Sequence, residues 1–234
     1  MKVLILAGGT GTRLRARVPD LPKPMAPIGA RPFLAYLLDH LAAAGFVDVT
    51  LSVGYMAAAI REYFGAGYRG VRLSYSEEAS ALGTGGAIRQ ALAGSGDTPY
   101  LVMNGDTLAD IDYRALIERQ RARPGHLAIA LRRVDDCARY GAATVRDQVL
   151  TGFSEKGGTG PGLVNTGNYI VTERHLLAAP PSPFSFETDF LQPHCGVLLP
   201  GVVISDGYFI DIGIPADFDR AQSQIPLWAA ARGE

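Results

Sequence analysis

A chain of 234 residues, 47% hydrophobic and 19% charged, has the make-up of an ordinary soluble globular protein and is long enough to bury a substantial core. That length fits one α/β domain, or two if one is small. A formal net charge of −1, with no long basic run, gives no electrostatic reason to expect nucleic acid or a membrane surface as a partner. The apolar run VLILA (3–7) is too short for a signal peptide and gives way to glycines. Nowhere do roughly 18 apolar residues run together, as a spanning helix requires. Cys137 and Cys195 are far apart and in no metal-ligand spacing, which reads as two reduced thiols in a cytoplasmic protein.

In chain order, KVLILA (2–7) predicts a buried first strand, because it is short, continuous and apolar. RPFLAYLLDHLAAAG (31–45) has apolar residues at helical spacing, a proline near its start and Gly45 as a stop. VDVTLSV (47–53) predicts a strand, AAAIREYFG (57–65) a helix, VRLSYS (71–76) a strand and GGAIRQALA (85–93) a helix. PYLVMNGD (99–106) predicts a fourth strand ending on Asp106. This alternation means βαβ units and a mainly parallel sheet.

After about residue 125 the rhythm changes. Segments 127–134, 142–147, 149–156 and 163–171 read as strands in quick succession, which suggests an added antiparallel region. KGGTGPG (156–162) reads as a loop. FSFETDFLQPH (184–194) predicts a short helix capped at Ser185, and GVVISDGYFIDIG (201–213) two more strands. PADFDRAQSQI (215–225) begins a helix with Pro215 in its first turn.

The segment LAGGTGTRL (6–14) follows the first strand, where open α/β sheets bind ligands. Glycines there leave several backbone N–H groups free to face one anion. Arg13, at the end of the loop, adds a fork of donors for phosphate oxygens. The loop is not a P-loop, since Gly11-Thr12-Arg13 stands where Gly-Lys-Ser/Thr is needed. Nor is it the dinucleotide pattern, since Leu14 holds the last glycine position. The plain alternative is a glycine-rich chain reversal. In LPKPM (21–25), Pro22 and Pro24 restrict the backbone on both sides of Lys23. Such a frame suits a lysine aimed at a phosphate, although a solvated lysine in a proline turn is the simpler reading of that segment alone.

Taken together, LAGGTGTRL, LPKPM, LGTGGA, NGD, FSEK and FIDIG resemble the sugar-1-phosphate nucleotidylyltransferases, in order and over nearly the whole chain. The segments DLPKPMAPI, YGAATV, FSFETDFLQ and GYFIDIGIPADF are most similar to the guanylyltransferases that act on heptose 1-phosphate. The resemblance implies a Rossmann-like α/β fold of the nucleotide-diphospho-sugar transferase type. Its sheet is mainly parallel or mixed, flanked by helices, with a small antiparallel sugar-binding region. Residues 1–234 would form one nucleotidyltransferase domain: about 1–125 the nucleotide-binding part, about 126–234 the sugar-binding part with the second metal ligand.

The implied partners are a nucleoside triphosphate and a sugar 1-phosphate, and the implied cofactor is Mg²⁺ held by Asp106 and Asp211. Taken singly, either carboxylate reads as an ordinary turn or strand-end residue. By the same resemblance Leu6, Gly8, Gly9, Gly11 and Thr12 would cradle the nucleotide, Arg13 would hold the β- and γ-phosphates, and Lys23 would neutralise the α-phosphate. Gly83 and Thr84 would lie near the base, although Thr84 also suits a helix cap. One of Glu77 and Glu78 would read the base edge, with Glu78 as the candidate. On the sugar side stand Asn104, Gly141, Asn165, Glu155 for hydroxyls and Lys156 for the sugar's phosphate. Thr166 departs from the small residue often found within NTG (165–167).

Tyr55 in VGYM is expected to pack, with stacking as the alternative, and His40, His126, His175 and His194 share no spacing and read as non-catalytic. GTP and a heptose 1-phosphate are the expected pair. GTP with mannose 1-phosphate, UTP with a MurNAc-type sugar phosphate, and a non-catalytic sugar-nucleotide sensor are the alternatives. A homo-oligomer is compatible with the sequence.

Overall fold

The first strand, β1 (Lys2–Leu6), is apolar on both faces, and Val3, Leu4 and Ile5 are fully buried in the computed structural model. The structure describes residues 1–9, 11–15, 17–123, 125–138, 140, 142–153 and 159–233. After β1 come two single 3₁₀ turns, Thr12–Leu14 and Lys23–Met25. Next are the short antiparallel pair β2 (Pro27–Ile28) and β3 (Arg31–Pro32), then α1 (Phe33–Ala43), β4 (Asp48–Val53) and α2 (Ala57–Phe64). The chain continues through β5 (Gly67–Tyr68), β6 (Val71–Glu77), α3 (Gly83–Leu92), β7 (Tyr100–Asn104), β8 (Thr107–Ala109) and α4 (Tyr113–Arg121). Four strands come next: β9 (Ala128–Val134), β10 (Ala143–Arg146), β11 (Val149–Phe153) and β12 (Gly162–Val171). A 3₁₀ turn (Glu173–Leu176) and a π-helical turn (Phe186–Leu191) lead into α5 (Gln192–Leu198), β13 (Gly201–Ser205), β14 (Phe209–Asp211) and α6 (Pro215–Arg232).

Two units divide the chain. The first comprises Met1–Ala81, Met103–Leu108 and Ile210–Glu234; the second comprises Leu82–Val102 and Ala109–Phe209. In the first, β4 pairs in parallel with both β1 and β6, and β5 turns back antiparallel on β6. Parallel pairing brings the carboxyl ends of β1, β4 and β6 to one edge, so Gly8, Gly54 and Glu78 meet there. α1 is buried along nearly its whole length, with Phe33, Leu34, Leu37, Leu38 and Leu41 sealed from water.

In the second unit, β9 lies between β12, antiparallel, and β13, parallel; β11 pairs antiparallel with β13 and β10. The β12–β9 register jumps between Asn165 and Asn168, leaving Thr166 and Gly167 in a bulge. Thr166 is buried there: its hydroxyl donates to the Ala130 carbonyl at 2.8 Å and accepts from Asn168 Nδ2 at 3.2 Å. Its polarity is satisfied inside the sheet.

Most predicted elements are present, with shifted ends. α1 starts at Phe33 rather than Arg31, because Arg31 and Pro32 pair with β2. α3 starts at Gly83 rather than Gly85, and its N-cap is Leu82, with no side-chain cap. Thr84 therefore lies inside the helix and is not its cap. β7 stops at Asn104, two residues short of Asp106. α6 runs past Pro226 to Arg232. Ser185 caps as expected, its hydroxyl accepting from the Thr188 N–H at 3.2 Å, but the segment it opens is a π turn that runs into α5. α4 is not among the predicted elements. It buries Tyr113 and Leu116, with Ile117 half-buried on the same face, and is started by Asp112, whose carboxylate accepts the Ala115 N–H at 2.9 Å. Such a cap typically contributes about 1 kcal/mol.

His175 is buried, and burial favours its neutral form. Its Nδ1 accepts the Thr172 N–H at 2.9 Å, which leaves Nε2 to donate to the Gly125 carbonyl at 3.0 Å. Burial is the main cause that lowers its pKa from 6.5. The folded state thus resists a proton that the unfolded chain accepts, so this contribution to stability is full above pH 6.5 and is lost as pH falls through the lower folded value. Thermal unfolding scanned from pH 8 to pH 5 should show that decline, and His175→Asn should flatten it. An unchanged slope in the variant would rule out His175 as the cause.

Candidate active site

In the first unit the candidate groups Lys23, Asp106, Asp211 and Arg13 each stand in a short segment held by hydrogen bonds. Lys23 starts its 3₁₀ turn directly after Pro22, with Pro24 inside the turn. Its Nζ donates to Asp106 Oδ2 at 2.7 Å, with the lysine side chain 12% exposed and the aspartate 30%. Asp106 sits in the turn after β7, where the Gly105 N–H donates to the Leu6 carbonyl at 2.9 Å. Leu6 thus anchors the turn through its backbone. The Asp106 carbonyl accepts the Ile212 N–H at 3.0 Å, tying this turn to the residue after Asp211. Thr107 Oγ1 donates to Asp106 Oδ1 at 3.3 Å.

Asp211 ends β14, and its Oδ1 accepts the Gly213 N–H at 2.6 Å. Burial, then the negative charge of Asp106, hold its carboxyl above the usual range. The Gly213 N–H, Lys23 and Arg13 pull it part of the way back. Arg13 is exposed in the turn Thr12–Leu14, which closes with the Leu14 N–H on the Gly11 carbonyl at 2.9 Å. Lys23, Asp106, Asp211 and Arg13 therefore form one electrostatic group. Asn104 Oδ1 is buried without a hydrogen-bond partner among the described residues.

Of the two glutamates, the structure puts Glu78 at the glycine loop. A side chain on Gly8 would place its Cβ 2.6 Å from Glu78 Oε1, and that oxygen accepts from Ser52 Oγ at 3.1 Å. Glycine at position 8 is what lets the carboxylate approach the loop backbone. Glu77 instead pairs with Arg61 at the exposed surface. Gly9 has open space around it. Tyr55, expected to pack, is 36% exposed and carries the Arg15 guanidinium 5.4 Å above its ring.

The second unit brings together a different set. Gly83 has φ +72°, and the Phe184 backbone fills the space a side chain there would need. The Phe184 N–H donates to the Leu82 carbonyl and the Gly85 N–H to the Phe184 carbonyl, each at 3.0 Å. Thr84 Oγ1 donates to Glu187 Oε2 at 2.7 Å and accepts the Phe186 N–H at 2.8 Å. Asn165 Nδ2 donates to the Tyr169 hydroxyl at 2.6 Å, and its Oδ1 accepts the Gly167 N–H at 2.9 Å. Sequence reasoning misses Glu187 and Tyr169. Glu187 lies in a segment that reads as a helix and as part of the resemblance but not as a site, and nothing local marks a partner 103 residues away. Gly141, Glu155 and Lys156 lie outside the described residues, and among those described no three His, Cys, Asp or Glu side chains cluster as a metal site.

A glycine loop beyond a parallel strand, with a proline-framed lysine on one of two neighbouring carboxylates, belongs with nucleotide chemistry. The chain is a member of the nucleotidyl transferase family, whose model matches residues 2–226. It is 42% identical over 226 residues to the D-glycero-alpha-D-manno-heptose 1-phosphate guanylyltransferase of Aneurinibacillus thermoaerophilus, covering 96% of this chain and 98% of that protein. Against the enzyme of the same name from Campylobacter jejuni it is 40% identical over 220 residues, covering 93% and 97%. The crystal structure of HddC from Yersinia pseudotuberculosis complexed with GMP-PN superposes with a TM-score of 0.84 at 36% identity, over 95% of this chain and 98% of that one. The fold is thus the mixed parallel and antiparallel sheet flanked by helices of these nucleotidyltransferases. No helix among the described residues is long and apolar enough to cross a membrane.

The electrostatics have a direct check. Asp106→Asn removes a negative charge that raises Asp211 and frees Lys23, and both changes favour the Asp211 carboxylate. A carboxyl-carbon NMR titration of the metal-free protein should show the Asp211 pKa falling in the variant. An unchanged or higher value would mean that the two carboxylates do not interact.

Proposed function

We propose that this protein transfers GMP from GTP to a sugar 1-phosphate of the D-glycero-α-D-manno-heptose type, giving the GDP-sugar and pyrophosphate. The observation that carries the reading is Lys23 paired to Asp106 beside an Asp211 whose ionisation is resisted. A phosphate oxygen of the sugar phosphate attacks the α-phosphorus of GTP. A new P–O bond forms, the bond from the α-phosphorus to the bridging oxygen breaks, and pyrophosphate leaves with that electron pair. The attacking oxygen is already anionic, so no general base is required. The barrier lies in bringing anions together in line, and positioning with charge neutralisation lowers it.

In this reading Lys23 exchanges part of its interaction with Asp106 for the α-phosphate as charge builds there, and Arg13 holds the departing phosphates. Gly8, Gly9, Gly11 and Thr12 offer backbone to the triphosphate. Asp106 and Asp211 would hold Mg²⁺, which suits a pair of carboxylates completed by substrate phosphates and water. The fit rests on their mutual repulsion, which a cation relieves. When bound, the ion neutralises phosphate charge.

Glu78 supports guanine as the base. The guanine edge bearing N1–H and the 2-amino group offers donors to a carboxylate. Uracil and thymine flank their single N–H with two carbonyl oxygens, which a carboxylate repels. Gly83 and Thr84 complete the base contacts. Asn104, Gly141, Glu155, Lys156 and Asn165 make up the sugar side. The unpartnered Asn104 oxygen suits a hydroxyl donor. The heptose assignment is supported by two curated relatives of that activity that match nearly end to end.

Pyrophosphate release in Mg²⁺, with GTP, ATP, UTP and dTTP crossed against heptose, mannose and MurNAc 1-phosphates, tests the reading. Release is expected with GTP and the heptose phosphate. Asp106→Ala and Asp211→Ala should abolish it, and Lys23→Ala should lower kcat by roughly 10²–10³-fold, the size of a lost preorganised charge contact. Release with another pair would replace the substrates, and nucleotide binding without release from any pair would favour a sensor.

A further inference from the structure

Glu187 is a carboxylate that the proposed chemistry does not use. Glu187 receives hydroxyls from three directions in the second unit. Thr84 Oγ1 donates to its Oε2 at 2.7 Å, Ser185 Oγ to the same oxygen at 3.2 Å, and the Tyr169 hydroxyl to its Oε1 at 3.1 Å.

The direction of each bond is determined. Thr84 Oγ1 already accepts the Phe186 N–H, so its hydrogen points at Glu187. The Tyr169 hydroxyl accepts from Asn165 Nδ2, so its hydrogen points at Glu187 as well. Tyr169 is fully buried, and burial together with the nearby Glu187 charge keeps its hydroxyl protonated, far above its ordinary pKa. Two relays converge on one group: Phe186 N–H to Thr84 to Oε2, and Asn165 to Tyr169 to Oε1. Both arms need an acceptor at their end. Only an ionised carboxylate offers acceptors on both oxygens with no hydrogen of its own. The Tyr169 ring also packs edge-on against Phe186, at 4.9 Å between centroids, so the arms share a rigid support.

We propose that Glu187 is a positioning residue that joins the base loop at Thr84 to the sugar side at Asn165. Holding both in one hydrogen-bonded unit makes nucleotide binding and sugar phosphate binding favour each other. The geometry stands on its own, while the roles of Thr84 and Asn165 rest on the function proposed above. None of these residues is among those assigned to the reacting phosphates, so loss of the unit acts on substrate affinity more than on the chemical step.

Glu187→Gln keeps the shape but turns one acceptor into a donor, which sets it against Thr84 or Tyr169. Two measurements decide the matter. In steady state, KM for both substrates should rise about tenfold or more, the effect expected of hydrogen bonds to a charged group, with kcat changed less. In calorimetry with a non-hydrolysable GTP analogue and no sugar, Tyr169→Phe should weaken nucleotide binding, although Tyr169 lies on the sugar arm. That cross-effect should vanish in the Glu187→Gln background. Unchanged KM values, a loss confined to kcat or thermal stability, or Tyr169→Phe and Glu187→Gln effects that simply add would overturn the proposal. Should Glu187→Gln fail to fold, Thr84→Val combined with Tyr169→Phe gives the same cycle, with additivity again as the refuting result. If the wild-type protein turns over no substrate pair, the functional reading fails by itself, and the calorimetric cycle still reports whether Glu187 couples the two arms.

Discussion

Two carboxylates and the charges that restrain them are the constraint on which the first unit depends. Asp106 and Asp211 act on each other strongly enough that burial and mutual charge oppose ionisation of the second. A protein tolerates such a pair only if something positive stands beside it. Lys23 does so at 2.7 Å, and Arg13 adds its charge. Much of the local architecture serves to hold these groups in place. The prolines on either side of Lys23 limit where its backbone can go, the Gly105–Leu6 hydrogen bond pins the Asp106 turn, and the Ile212 N–H on the Asp106 carbonyl ties that turn to the Asp211 strand.

The same economy governs Glu78. Parallel pairing of β1, β4 and β6 brings Gly8, Gly54 and Glu78 to a common edge, and the missing side chain at position 8 is what admits the glutamate. Sequence alone leaves Glu77 and Glu78 open, because adjacent residues at a strand end differ only in the side to which they point. The Arg61 partner takes Glu77 to the surface and leaves Glu78 at the loop.

What can be read without coordinates is what lies close together in the chain. Strand and helix alternation, the proline-framed lysine, the Ser185 cap and the strand over 163–171 are local, and they are present. α4 carries legible signals that the reading by pattern does not use: its Asp112 cap, and apolar Tyr113, Leu116 and Ile117 at helical spacing. Thr84 reads wrongly as a cap because the helix begins at Gly83, whose positive φ and whose contact with Phe184 depend on a segment about a hundred residues away. Glu187 is invisible for the same reason. Pairings of that separation come from topology, and one sequence carries no direct mark of them.

The first unit is stitched from three separate stretches of chain, with Lys23 on the first, Asp106 on a six-residue second (Met103–Leu108) and Asp211 on the third. During synthesis at the ribosome, Lys23 and Asp106 can meet while the chain is still growing, but their pair then lacks the second carboxylate. Asp211 emerges only after the whole of the second unit has been made. A half-finished chain therefore has a compensated ion pair, and it acquires its excess negative charge only after the other two stretches of the first unit have been made.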